Sequence, residues 1–142
     1  MPRATSRNGG PAGLLVQQAG RLLQLSPRGA ACHVSAHEAD AWCRWAGRRL
    51  PTGAEWEAAA LAFGGRGFAF GDVWEWTLGT AGPYPGHRPS AAPVLGALPG
   101  ERERALRGGS AQTVPRQRHP RVRAFALPSH DGMFSGFRSC AL

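Results

Sequence analysis

Apolar residues recur at helical spacing twice between residues 35 and 63. Ala39, Trp42, Cys43 and Ala46 fall at i, i+3, i+4 and i+7, which places them on one face of a helix. Ahead of them, Ser35-Ala36-His37-Glu38 has the form of a capping box. In such a box the Ser35 hydroxyl accepts from the Glu38 amide, and the Glu38 carboxylate accepts in return from the Ser35 amide. Gly47 then supplies the left-handed residue that ends a helix. The pattern repeats at once. Thr52-Gly53-Ala54-Glu55 is a second box, Trp56, Ala59, Ala60 and Phe63 a second stripe, and Gly64-Gly65 a second stop, with Pro51 setting the turn between the two. Each predicted helix is only about three turns long, too short to persist alone, so both must bury their stripes against other elements.

After Gly64 the helical period disappears. Short runs at Val73–Thr77, Ala105–Arg107, Val122–Phe125 and Phe134–Cys140, separated by Gly- and Pro-rich turns, read as strands. Residues 79–100 carry no periodicity and are expected to form a long surface loop. Upstream, Gly13–Leu25 has some helical character through Leu14, Leu15, Leu22, Leu23 and Leu25, cut short by Gly20 and by the flanking Pro11 and Pro27. Residues 1–31 are expected to be a leader or linker, truncated or native, and residues 32–142 one folded domain. The predicted class is α+β, with two short helices packed on a small irregular antiparallel sheet.

Composition narrows the partners. A chain of 142 residues suits one domain with one core, and 20 Gly and 12 Pro agree with a turn-rich fold. No apolar run approaches the length of a membrane span, about 18 residues, and Met1–Gly13 lacks the apolar stretch of a secretory signal. The net charge of +8 raises nucleic acid as a partner. However, all 17 basic residues are Arg and they are scattered, which favours a solvated basic surface. Neither a nucleic-acid nor a membrane partner is expected. Cys32, Cys43 and Cys140 form no CxxC pair and no even framework, as for reduced thiols in a cytoplasm.

Several longer signatures stand beside these patterns. Arg48-Arg49-Leu50-Pro51-Thr52 with Glu55-Trp56-Glu57, then Gly71-Asp72-Val73-Trp74-Glu75-Trp76-Thr77, Arg107-Gly108-Gly109-Ser110 and Gly136-Phe137-Arg138, resemble the formylglycine-generating-enzyme (sulfatase-modifying factor) domain. The resemblance covers residues 32–142 and implies a C-type-lectin-like α+β fold. Within that family, Pro83-Tyr84-Pro85-Gly86, Arg118-His119-Pro120-Arg121 and the ending Phe137–Leu142 look most like the C-terminal half of ergothioneine-type sulfoxide synthases and the related selenoneine-type enzymes.

That resemblance implies O2-dependent C–S (or C–Se) bond formation on a histidine-derived betaine, with a small-molecule thiol or selenium donor as co-substrate. It also implies that Fe(II) is held by three histidines of a separate N-terminal helical domain, so that this chain alone is iron-free and inactive. Calcium is common in the family domain, and Asp72 and Glu75 match its ligands in type. Formylglycine generation itself needs a cysteine pair after the Arg-Gly-Gly-Ser motif, and residues 111–130 contain no Cys. The synthases' loop tyrosines are missing too, since residues 86–106 contain no Tyr. The donor-binding Asp and Arg of mycobacterial-type relatives correspond to Ala126 and His130. The candidate substrate-binding residues are therefore Tyr84, Arg123, His130 and Asp131, while Arg107 and Arg138 read as bidentate loop anchors. Within the chain, His33 and His37 beside Glu38 form the one metal-like grouping, but Ser35 as N-cap puts His33 outside the helix. The alternative to the synthase reading is a ligand-binding or display module on the same lectin-like scaffold.

Overall fold

The computed structural model describes residues 15–18, 20–88 and 99–142. Six strands and two helices follow in the order β1 (Leu15–Gln18), β2 (Arg21–Gln24), α1 (Ala36–Trp45), α2 (Gly53–Phe63), β3 (Trp74–Trp76), β4 (Arg104–Arg107), β5 (Arg123–Ala126) and β6 (Ser135–Gly136). Residues 89–98 of the surface loop expected over residues 79–100 lie outside the described residues.

Both capping boxes form. Ser35 and Thr52 have extended backbones, accept from the Glu38 and Glu55 amides, and receive the carboxylates back on their own amides at 2.8 Å each. These caps occupy N–H groups that no helical carbonyl can reach. Gly47 takes the left-handed conformation expected after α1, with φ of 63°.

The buried face of α1 is rotated from the expected one. Ala36, Ala39 and Cys43 point inward, while Trp42 is 44% exposed because its indole lies at the rim, against Phe137 with ring centroids 5.5 Å apart. On α2, Trp56 and Ala60 are buried and Phe63, the last helical residue, is exposed. The main core joins Ala36, Ala39 and Cys43 to Leu50 and to the sheet residues Trp76 and Leu106. Burial raises the pKa of the Cys43 thiol, with Asp40 and Cys140 adding to the effect, so it stays a neutral small hydrophobe. Trp56 anchors a second cluster, edge-on to Phe68 and Phe70 at 5.5 and 5.4 Å.

The sheet has the order β5-β4-β3-β6. β3, β4 and β5 pair antiparallel as expected, with Trp76 opposite Leu106 and Leu106 opposite Ala124. β6 corrects the antiparallel expectation: it lies parallel to β3, with Trp74 opposite Ser135 and Glu75 opposite Gly136, so the sheet is mixed. The cause is the path of residues 127–134. They cross under the start of α1, where Pro128 accepts from the Ala36 amide, and re-enter the sheet beside β3 running in the same direction as β5. Gly136 is required there. A Cβ would collide with the Ala31 carbonyl oxygen and lie 2.9 Å from Val73 Cγ2.

The weak helical character expected for Gly13–Leu25 is also corrected. Its described residues form an antiparallel hairpin, with Leu15 opposite Gln24 and Gln18 opposite Arg21. Gly20, at φ of 76°, makes the turn that leucine spacing alone had suggested was helical.

Candidate functional site

A cavity of about 430 Å³ opens between one face of α2, the segment after β3 and strands β4 and β5. Ala54, Ala58, Leu61, Leu78 and Ala105 make much of its lining apolar, and Glu57, Tyr84, Arg107 and Arg123 form a connected polar cluster on it. There Arg107, only 2% exposed at the end of β4, donates through Nη1 to the Pro120 carbonyl at 3.2 Å and through Nη2 to the Gly53 carbonyl at 3.2 Å. Its Nη2 also meets the Tyr84 hydroxyl at 2.9 Å and Glu57 Oε2 at 2.9 Å. Arg107 Nε is the one buried side-chain polar atom without a partner among the described residues.

Arg123, from β5, lies over the Tyr84 ring with its guanidinium carbon 3.9 Å from the centroid, and donates to the Gly82 carbonyl at 2.8 Å. Tyr84 is thus held at its hydroxyl by one arginine and on its face by another. The structure brings two of the four predicted substrate residues, Tyr84 and Arg123, into this cavity. Arg123 does not reach Glu75, whose carboxylate is taken by Arg138.

His130 and Asp131 stand elsewhere. They are exposed in the turn between β5 and β6, where the Asp131 carbonyl lies 3.3 Å from His33 Nδ1. The His33 ring packs on Phe134, with centroids 5.1 Å apart. This turn lies against the entry to α1, not against the cavity.

A second cavity, of about 470 Å³, is lined by Trp56, Phe68, Arg49, Glu55, Arg138 and Cys140. Its charges are already matched. Arg49 forms a two-pronged pair with Glu55 at 2.7 and 2.8 Å, and Arg138 is bidentate to Glu75. The anchoring roles expected of Arg138 and Arg107 are those observed.

The donor sets for metals can be checked directly. Glu75 is 5% exposed, and its carboxylate is filled by Arg138 and by Trp56 Nε1. Asp72 is exposed, and its carbonyl accepts from the Ala111 amide. His33 is outside α1, at φ of 59°, and His37 is exposed on that helix. Among the described residues no three or more His, Cys, Asp or Glu side chains are grouped closely enough to hold an ion. The described side chains do not fit an iron centre or a carboxylate-rich calcium site.

Residues 16–70 match the sulfatase-modifying factor enzyme 1-like domain, a stretch that begins inside the hairpin and ends after α2. Over that stretch the chain is similar to the sulfatase-modifying-factor family. Hercynine oxygenase of Mycolicibacterium smegmatis is 29% identical over 154 aligned positions, covering 75% of this chain and 36% of that protein. Hercynine oxygenase of Mycobacterium tuberculosis is 30% identical, covering 75% and 35%. The formylglycine-generating enzyme of Streptomyces coelicolor is 58% identical, but over only 41 residues, 28% of this chain. The chain spans about a third of the length of the hercynine oxygenases it matches. No helix among the described residues is long and apolar enough to cross a membrane.

Sequence reasoning missed two members of the cavity. Arg107 was read only as a loop anchor, and Glu57 only as part of a motif. Glu57 lies four residues beyond Gly53 on the same face of α2, a spacing that could have flagged it. Nothing in the order of residues tells that Arg107 buries one nitrogen without a partner.

Proposed function

We propose that this domain walls the substrate pocket of an O2-dependent enzyme of the hercynine-oxygenase kind, one that joins sulfur or selenium to a histidine-derived betaine. The observation that carries this reading is the agreement between two findings. Similarity to hercynine oxygenases runs across three quarters of the chain, and the domain has an apolar cavity with Tyr84 and Arg123 in its polar cluster. The formylglycine-generating alternative is disfavoured because residues 111–130 have no thiol to activate a peptide.

Fe(II), in this reading, binds to histidines of a separate helical domain and supplies the oxygen chemistry. This chain's own residues orient the organic substrate. Leu61, Leu78 and the alanines offer the substrate an apolar wall, while Arg107 fixes the Tyr84 hydroxyl and Arg123 holds its ring. His130 and Asp131, if they touch the donor, do so from a different face. This domain does not turn over alone.

Anaerobic Fe(II) titration, with the chain alone and with a helical partner bearing three spaced histidines, tests the reading. Stoichiometric binding is expected only in the mixture, together with O2 consumption that depends on the betaine and on a thiol or selenium donor. Stoichiometric Fe(II) binding by the chain alone overturns it. The competing reading, a lectin-like binding or display module, draws on the same cavity, around which the described residues form no metal-grouping cluster. It predicts small-molecule binding that no helical partner converts into turnover.

A further inference from the structure

The second cavity, of about 470 Å³, has the size of a small-molecule site and shares no lining residue with the α2–β4–β5 cavity. The two lie on different faces of α2: Ala54, Glu57, Ala58 and Leu61 line one, and Glu55, Trp56 and Ala59 line the other. The floor of the second is aromatic. Trp56 meets Phe68 edge-on at 5.5 Å, and Pro51 and Ala59 extend the apolar lining. Arg138 lies over this floor, its guanidinium carbon 3.7 Å from the Phe68 centroid and 5.8 Å from that of Trp56. The charges cancel in pairs, because Arg49 is held by both oxygens of Glu55 and Arg138 by both oxygens of Glu75. Hydrogen-bonding capacity does remain. Arg138 spends Nε and Nη2 on Glu75 and the Ala69 carbonyl, whereas its Nη1 makes no hydrogen bond among the described residues, on a side chain that is 30% exposed.

We propose that this cavity binds a small uncharged aromatic compound carrying a carbonyl oxygen, with its ring against Phe68 and Trp56 and its oxygen on Arg138 Nη1. Charge excludes the ionic alternatives. A carboxylate would stand beside Glu55 and Glu75, and an ammonium beside Arg49 and Arg138. Either ion would give up hydration without finding an unpaired partner. The aromatic floor excludes a bare amide, which keeps the hydrogen bond but has no ring to pack against Phe68 and Trp56. A guanidinium already stacked on Phe68 presents its free N–H groups beside that ring, where the carbonyl of a flat molecule packed there can accept from them. The inference stands apart from the synthase reading, since it involves neither oxygen chemistry nor Tyr84 and Arg123.

The test is titration of the full chain with benzamide, following the Trp56 indole N–H and the Arg138 side-chain N–H resonances by NMR. Benzoate, benzylamine and acetamide are compared at the same ionic strength. Benzamide is expected to give a saturable shift at Trp56 and Arg138, with a dissociation constant on the order of millimolar for so small a ligand. No parallel shift is expected at Trp45, which is 82% exposed and outside the cavity. Benzoate and benzylamine are expected to bind about tenfold more weakly because each must lose the hydration of its charge, and acetamide is expected not to saturate. Ala59→Phe, which fills the cavity from α2 and removes neither ion pair, is expected to abolish binding, with the urea midpoint reporting whether the variant is folded. The proposal is overturned if benzamide gives no saturable shift, if benzoate binds as tightly, if Trp45 shifts in parallel with Trp56, or if a folded Ala59→Phe variant binds as before. The benzamide–benzoate comparison is made on the parent chain, so it decides the matter even where Ala59→Phe does not fold. Failure here leaves the synthase reading to its own iron titration, because the two measurements share no readout.

Discussion

Trp56 donates its indole N–H to Glu75 Oε2 at 2.8 Å across the interior, tying α2 to β3. The same carboxylate takes both prongs of Arg138, which also donates to the Ala69 carbonyl at 2.7 Å. One buried carboxylate thus joins the second helix, the central strand and the segment after β6. The arrangement explains why Trp, Glu and a late Arg belong to separate signatures of one domain: they meet at one point. Removing the carboxylate leaves the Trp56 indole N–H without an acceptor and Arg138 with only the Ala69 carbonyl. Glu75→Ala is expected to cost about 3 kcal/mol, at the low end for a broken buried pair, because the Arg138 side chain is 30% exposed. Glu75→Gln, which keeps an acceptor for Trp56, is expected to cost less. Urea unfolding followed by tryptophan fluorescence measures both; equal losses for the two substitutions would deny the indole bond a role.

The position opposite Glu75 in the parallel pair is Gly136, and its lack of a side chain holds β6 in place. A methyl group there must displace the Ala31 backbone or the Val73 side chain. Gly136→Ala is expected to destabilise the fold by about 1–3 kcal/mol, as overpacking does. Hydrogen exchange is the informative readout. Protection should fall first at the Val34 and Trp74 amides, which bond to the Ser135 and Phe134 carbonyls.

The degree to which each feature could be read in the sequence follows from how local its physics is. Both helices were legible to within a residue because a capping box is an i to i+3 device, complete within Ser35–Glu38 and Thr52–Glu55. The strands β3, β4 and β5 were legible from turn residues on either side. The direction of β6 was not, since two residues carry no alternation and their orientation depends on where residues 127–134 cross. The hairpin was misread because Leu22, Leu23 and Leu25 mimic a helical stripe, whereas in the fold they are exposed on a strand and the turn beyond it. At the cavity, Tyr84 and Arg123 were legible as candidates. Their mutual stacking and the unpartnered Arg107 nitrogen were not, because they depend on residues 23 to 39 positions apart meeting in space.

The cap of α1 gives a cleaner energetic test than the core does. Ser35 Oγ accepts from the Glu38 amide at 3.3 Å and donates to its carboxylate at 2.8 Å, and Ser35 is itself buried. Ser35→Ala removes the acceptor but keeps the backbone path, and should cost about 1 kcal/mol. The urea midpoint is expected to fall with an unchanged slope, since the surface exposed on unfolding stays the same. A changed slope would mean that α1 had detached, so that the serine acted on packing and not on the helix end.

Acid should loosen the second helix before it unfolds the core, and the sign can be worked out from Glu55. Its carboxyl titrates at about 2 in place of 4.5, chiefly because Arg49 donates to it, with the Thr52 amide adding to the effect. The unfolded chain therefore takes up this proton at a higher pH than the folded one. The stabilisation is complete above pH 4.5 and is lost progressively as the pH falls towards 2. Glu38, whose pKa is lowered by the Ser35 amide and hydroxyl, acts in the same direction on α1. Both carboxylates are solvent-exposed, so the effect is modest and should shrink in high salt. In thermal melts, Glu55→Gln is expected to be less stable than the parent above pH 4.5 and to converge with it towards pH 2. The variant should keep the shallower acid dependence that Glu38 supplies. If the two melting curves instead stay parallel at every pH, the Arg49–Glu55 pair contributes nothing and α2 is held by its buried Trp56 alone.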